Sequence, residues 1–311
     1  MAPVNRKIVH TVFEETVRRF PQREAVHQAG NGISYRDLSR ASNEIAAMLR
    51  RAGVGRDVIV GVPLESGIAY VAAIIGVMKA GGLFLPLDLS LPDRRLEYML
   101  RKTPPRVVIA DAAFEETGRR LAAAGFDDRA CPVVLLGRDL HPTIQAPERA
   151  GAMGISAAEA GGLPDPDDGC YIMYTSGSTG VPKAIEGCYK SLSHFVHWEA
   201  GEFGFDENIR VTQLPPITFD ASLRDIFVPL ITGGTLCIPE KGARSNMKEL
   251  LRWMEEEEIT LVHCVPSLFR MMTRELEERD GGVDREILPA LRYILMAGEP
   301  LYGKDVIRWM D

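Results

Sequence analysis

Apolar residues recur every three or four positions near the start of the chain, a spacing that is typical of amphipathic helices. Residues 9–20 follow this spacing, and Pro21 then ends the predicted helix. Residues 38–49 follow the same spacing. A third apolar run covers residues 66–80 and ends at a pair of glycines. The pattern therefore predicts three helices within the first eighty residues.

Short runs rich in β-branched residues then alternate with helical segments. RVVIAD (106–111) and CPVVLLG (131–137) flank one such segment, and the alternation continues to the end of the chain. This order predicts an α/β fold with mostly parallel sheets that helices cover on both faces. Residues 150–168 are small, aperiodic and rich in Gly, Pro and Asp, so we expect a linker between a first α/β half (1–149) and a second (169–311).

Composition narrows the class of protein. The 311 residues include 36 Lys and Arg against 43 Asp and Glu, a net charge of −7 that argues against general nucleic-acid or membrane binding. The most apolar stretch, residues 68–78, is too short to span a bilayer. Five cysteines without a CxxC pair favour reduced thiols over disulfides or a metal site, and we expect a cytoplasmic protein.

The segment YTSGSTGVPK (174–183) carries the clearest chemical signal. Its glycines allow the backbone to approach a ligand closely, its hydroxyl groups and successive N–H groups can bind an anion, and its lysine adds a positive charge. It is not a Walker A loop, because Val-Pro separates the last glycine from the lysine and the next residues predict a strand. The alternative is an ordinary Ser/Gly turn. The predicted phosphate ligands are Thr175, Ser176, Gly177, Ser178, Thr179, Gly180 and Lys183.

This segment resembles the phosphate-binding loop of the adenylate-forming superfamily, which includes amino-acid adenylation domains of nonribosomal peptide synthetases, acyl-CoA synthetases and luciferases. Four further segments resemble family motifs in the expected order: residues 33–50, 77–100, 219–227 and 291–301. AGGLFLPLD within the second is close to the amino-acid-activating branch. The resemblance covers nearly the whole chain and implies the large N-terminal domain of such an enzyme.

Two positions depart from the family pattern. Ala184 stands where a glycine is usual, and Tyr189 stands where a histidine is usual. The glycine-to-alanine change is mild because a strand residue accepts a Cβ. The tyrosine lacks a titratable imidazole, so we assign it no catalytic role.

The resemblance also implies an amino-acid pocket. The aspartate that matches Asp220 pairs with the substrate ammonium group in amino-acid-activating relatives, although an aspartate before a predicted helix can instead cap it. Arg224 lies one helical turn further on and, with His263, could meet a polar or acidic substrate side chain. Alternatively, Arg224 turns outward or pairs with Asp225 or another acid. The predicted substrate-binding residues are Phe219, Asp220, Ala221, Arg224, His263, Leu295, Ala297 and Gly298.

The implied reaction joins an amino acid to ATP, giving aminoacyl-AMP and pyrophosphate, with Mg²⁺ sharing the phosphate charge. The acyl group then passes to the phosphopantetheine thiol of a carrier protein during secondary metabolite biosynthesis. An acyl- or aryl-acid:CoA ligase is one alternative, and a non-catalytic remnant or interaction module is another. No nucleic-acid or membrane partner is expected, and no residue is assigned as a metal ligand.

The last residues, IRWMD, predict a helix without a stop signal before the chain ends at Asp311. By resemblance, the catalytic lysine and the C-terminal subdomain lie beyond this point, so no catalytic residue is assigned within the chain. We expect residues 1–311 alone to bind nucleotide weakly and to show little or no adenylation activity.

Overall fold

The computed structural model describes residues 7–111, 121, 131–145, 164–175, 182–280 and 288–310. Within these ranges the helices are α1 (Val9–Arg19), α2 (Tyr35–Arg51), α3 (Ile68–Ala80), α4 (Asp93–Lys102), α5 (Tyr189–Glu202), α6 (Ala221–Thr232), α7 (Lys241–Ser245), α8 (Met247–Glu256), α9 (Pro266–Asp280) and α10 (Gly303–Met310). The three N-terminal helices predicted from the apolar spacing are confirmed.

Strands fill the intervals between these helices. They are β1 (Glu24–Gln28), β2 (Asn31–Ser34), β3 (Ile59–Val62), β4 (Leu83–Pro86), β5 (Val107–Asp111), β6 (Val133–Leu136), β7 (Pro142–Gln145), β8 (Gly169–Thr175), β9 (Lys183–Cys188), β10 (Arg210–Thr212), β11 (Thr235–Ile238), β12 (Leu261–Cys264) and β13 (Tyr293–Met296). The helical segment predicted between β5 and β6 falls outside the described residues, apart from Leu121, and so do residues 150–163 of the predicted linker.

The strands form two sheets. One has the order β13-β12-β10-β11-β1-β2 and is parallel except for the β1–β2 hairpin. The other has the order β7-β6-β5-β3-β4-β8-β9 and is parallel except for β6–β7 and β8–β9. The prediction of an α/β fold with two mostly parallel sheets is therefore confirmed.

The sheets do not follow the predicted halves of the chain. β1 and β2 lie in the sheet that holds β10 to β13, because β1 pairs with β11. Conversely, β8 joins the sheet of the N-terminal strands through β4. The division into 1–149 and 169–311 therefore does not coincide with the division into sheets.

One large cluster of buried apolar residues connects the two sheets. It includes Val26 and Leu236 from one sheet and Val60 and Phe84 from the other. Helix α3 is buried from Tyr70 to Ala80 and belongs to the same core, which explains why its sequence is apolar on every face. Among the described helices, none has the length and apolar character needed to cross a bilayer.

Candidate functional site

The predicted phosphate loop lies at the end of the β8–β9 hairpin. Thr175 of β8 pairs with Lys183 of β9 at the last position of the ladder, so two antiparallel strands hold the loop, as the sequence predicts. Residues 176–181, which include Ser176, Gly177, Ser178, Thr179 and Gly180, lie outside the described residues. Lys183 is exposed and forms no ion pair with any described residue, so its ammonium group is available to an anion.

Tyr171 organises the base of this hairpin. Its ring lies over Gly187, where a Cβ would stand only 2.0 Å from the ring, and its centroid lies 5.9 Å from that of Phe84. Burial raises the pKa of Tyr171 to about 12, and the charge of Asp220 contributes to this shift.

Asp220 immediately precedes α6 but does not cap it. Its backbone is helical, with φ −60° and ψ −28°, and its side chain accepts no hydrogen bond from the helix N-terminus. The residue is exposed, and its carboxylate has no hydrogen-bond or ion-pair partner among the described residues. Phe219 beside it is 56% exposed. The carboxylate is thus free to accept a cation.

The end of β13 provides another part of the predicted pocket. Leu295 pairs in register with His263 of β12, and the amide of Ala297 donates to the carbonyl of Cys264 at 3.2 Å. Gly298 follows with φ +88°, a conformation that favours glycine. Ala297 and Gly298 are exposed, whereas Leu295 and Ala221 are half-buried.

Four charged side chains form a cluster beneath these positions. His263 Nδ1 lies 2.6 Å from Asp225 Oδ1, and His263 Nε2 lies 2.8 Å from Glu199 Oε1. Arg224 Nη1 lies 3.7 Å from Glu199 Oε2. We call Glu199, Arg224, Asp225 and His263 the buried ion cluster. Helices α5 and α6 and strand β12 supply its members, so it links three elements behind the pocket.

Burial and charge act in opposite directions within the buried ion cluster. Burial lowers the pKa of His263, but the carboxylates of Asp225 and Glu199 outweigh this and raise it above its ordinary value. Burial also raises the pKa of Asp225, against the lowering effect of His263 and Arg224. The geometry therefore favours a protonated His263 between two carboxylates.

The cluster changes the interpretation of two predicted substrate residues. His263 has no exposed surface, so its ring is closed off from a ligand in this structure. Arg224, whose side chain is 13% exposed, faces Glu199, which matches the alternative that it pairs with another acid. No sequence pattern indicated a role for Glu199, because a glutamate beside Trp198 on an amphipathic helix is usually solvated.

The comparisons with known proteins agree with this architecture. A family model described as "AMP-binding enzyme" matches residues 13–311. AMB antimetabolite synthetase AmbB of Pseudomonas aeruginosa is 34% identical over 97% of this chain, and tyrocidine synthase 1 of Brevibacillus parabrevis is 28% identical over 98%. The chain spans 22% and 26% of the length of these relatives.

Solved structures show the same likeness. The nonribosomal peptide synthetase FmoA3 has a TM-score of 0.80 and 28% identity, over 98% of this chain and 30% of that one. A second FmoA3 structure, with a TM-score of 0.78 and 26% identity over 96% of this chain and 31% of that one, contains α-methyl-L-serine-AMP.

Proposed function

Because this chain belongs to the AMP-binding enzyme family, we propose that it forms part of a protein that activates an amino acid with ATP during nonribosomal peptide synthesis. The observation that carries the proposal is the exposed carboxylate of Asp220, which neither caps α6 nor has a partner among the described residues. A carboxylate there suits a substrate with an ammonium group, which fatty and aryl acids lack. The likeness to FmoA3, a nonribosomal peptide synthetase, supports the same interpretation.

In this proposal, the chain's own residues position two substrates, ATP and the zwitterionic amino acid. Lys183, and Thr175 on the opposite strand, flank the loop that would hold the ATP phosphates. Mg²⁺, when bound, would share the phosphate charge. Asp220 would hold the substrate ammonium group and orient the carboxylate for in-line attack on the α-phosphorus. Rate enhancement then depends mainly on orientation and on neutralised phosphate charge.

The proposed reaction has two steps. A carboxylate oxygen of the amino acid forms a bond to the α-phosphorus while the bond to pyrophosphate breaks. A carrier-protein phosphopantetheine thiol then loses its proton and bonds to the carbonyl carbon, releasing AMP. Both steps are proposed for a full-length protein in the cytoplasm. This chain spans only 22%, 26% and 30% of the length of AmbB, tyrocidine synthase 1 and FmoA3.

The test is amino-acid-dependent exchange of pyrophosphate into ATP by the full-length protein. Replacing Asp220→Asn should reduce exchange at least about 100-fold, because an ammonium group would lose its charged partner in the pocket. Glu240→Gln is the matched control, since Glu240 is an exposed acid that precedes a different helix. This control should retain wild-type exchange.

Other outcomes would identify the alternatives. Exchange that depends on fatty or aryl acids and is unchanged by Asp220→Asn would contradict amino-acid activation and favour an acid:CoA ligase. An absence of exchange with every acid, in a protein that is folded by circular dichroism, would favour a non-catalytic role.

A further inference from the structure

The two cations beneath the pocket are already engaged by protein carboxylates. Glu199 is 2% exposed and lies within ion-pair distance of both Arg224 and His263. Asp225 is fully buried and holds the other nitrogen of His263. These carboxylates are more deeply buried than the guanidinium of Arg224. A substrate carboxylate that approached Arg224 would therefore find both cations already neutralised by protein carboxylates.

A third cation, Arg244, also has hydrogen-bond partners within the protein. Burial lowers the pKa of Arg244 of α7, and the negative charge of Asp225 acts in the opposite direction. The Arg244 guanidinium donates to Ser66 Oγ at 3.2 Å and to Gln213 Oε1 at 3.1 Å. These bonds connect the loop after β3 to the end of β10. Each cation described around the cluster thus has a partner within the protein.

Arg224 nevertheless keeps hydrogen-bonding capacity. A guanidinium has five N–H donors, and the contact with Glu199 is a single one at 3.7 Å. The Arg224 side chain is 13% exposed and lies one turn after Asp220 on α6. A neutral oxygen of the substrate could accept from this group without adding charge, whereas an apolar side chain would leave its donors unsatisfied.

Resting on the amino-acid activation proposed above, we propose that Glu199 is a specificity-determining residue that occupies Arg224 and His263, so that the pocket selects an uncharged polar side chain. The substrate class is then an amino acid with an amide or hydroxyl group. Acidic amino acids are excluded because their carboxylate would lose its hydration beside cations that Glu199 and Asp225 have already neutralised.

The experiment compares isosteric amino acids in pyrophosphate exchange by the full-length protein. Asparagine and glutamine are each measured against the corresponding acid, with serine and leucine added. The wild type should favour the amide or hydroxyl substrates over the acids by about tenfold or more. Glu199→Gln should raise the acid-to-amide ratio of kcat/KM by about tenfold, because it leaves the positive charge of Arg224 and His263 short of one carboxylate and open to that of the substrate.

Glu202→Gln provides the matched control, because Glu202 is an exposed glutamate on the same helix and loses the same charge. Glu202→Gln should leave the acid-to-amide ratio of kcat/KM unchanged. If the net charge of the helix controlled this ratio, both variants would raise it. If an acidic or apolar amino acid is the best wild-type substrate, the specificity assignment is overturned while amino-acid activation stands. If Glu199→Gln does not fold, the wild-type comparison of amides with acids decides the question. Failure of every amino acid instead overturns the proposed function.

Discussion

At the scale of single residues, the contact between Gly187 and Tyr171 governs the base of the phosphate hairpin. A Cβ at position 187 would lie 2.0 Å from the ring, so Gly187→Ala must displace Tyr171 or the strand. We expect a loss of about 1–3 kcal/mol in the free energy of unfolding, as for other overpacked sites. Urea denaturation followed by circular dichroism measures this loss.

Gly201→Ala supplies the comparison, because a Cβ there meets nothing within 4 Å and the residue lies inside helix α5. This variant should be more stable than the wild type by roughly 0.5–1 kcal/mol, since alanine restricts the unfolded chain and favours a helix. Equal effects of the two substitutions would contradict the steric argument at Gly187.

The candidate site was only partly predictable at this scale. Asp220 and Lys183 could be predicted from the sequence, because each lies in a short segment that resembles a family motif. The enclosure of His263 and its pairing with Glu199 depend on the packing of α5 against α6 and β12, which no local pattern records. A charged residue on a helix has the same sequence pattern whether it faces solvent or a buried partner.

At the scale of elements, helix α1 depends on a histidine that must remain neutral. His10 is buried, and its ring meets that of Tyr189 edge-on at 5.3 Å. Burial, together with the charge of Lys79, lowers the pKa of His10 from 6.5 to about 4. Because the folded value lies below the unfolded one, His10 stabilises the fold fully above pH 6.5, and this contribution is lost as pH falls toward 4.

The expected loss is about 3 kcal/mol between pH 7 and pH 4, from the size of the shift. His10→Gln removes the titrating group and should flatten the fall in unfolding free energy over this range. His141→Gln is the control, because His141 is exposed and pairs with Glu44 at the surface. An unchanged pH profile in His10→Gln would show that other groups control acid stability.

Elements differed in how far the sequence revealed them. Many helices and strands of the second half were predictable, because apolar residues recur at helical spacing or form short continuous runs there. Strands β1 and β2 were not predicted, since EAVHQ and NGIS are short and partly polar. β1 is a strand because β11 supplies its hydrogen-bonding partner, and that partner is distant in sequence.

At the scale of the whole molecule, the exchange of strands between halves makes the chain hard to divide. Fragments 1–149 and 169–311 would each lack part of a sheet, because β1 needs β11 and β8 needs β4. We expect neither fragment to show a cooperative thermal transition alone, whereas mixing them after denaturation should restore one. A cooperative transition in either isolated fragment, measured by circular dichroism, would contradict this expectation.

The pairing of β1 with β11 also has a consequence for the cell. Val26 pairs with Leu236, 210 positions further along the chain. At ordinary rates of translation, the first strand leaves the ribosome about 10–40 s before its partner is made. During that interval its edge offers unpaired N–H and C=O groups to any other strand. The nascent chain is therefore most vulnerable to aggregation before synthesis is complete, and a chaperone that holds its N-terminal hairpin would protect it.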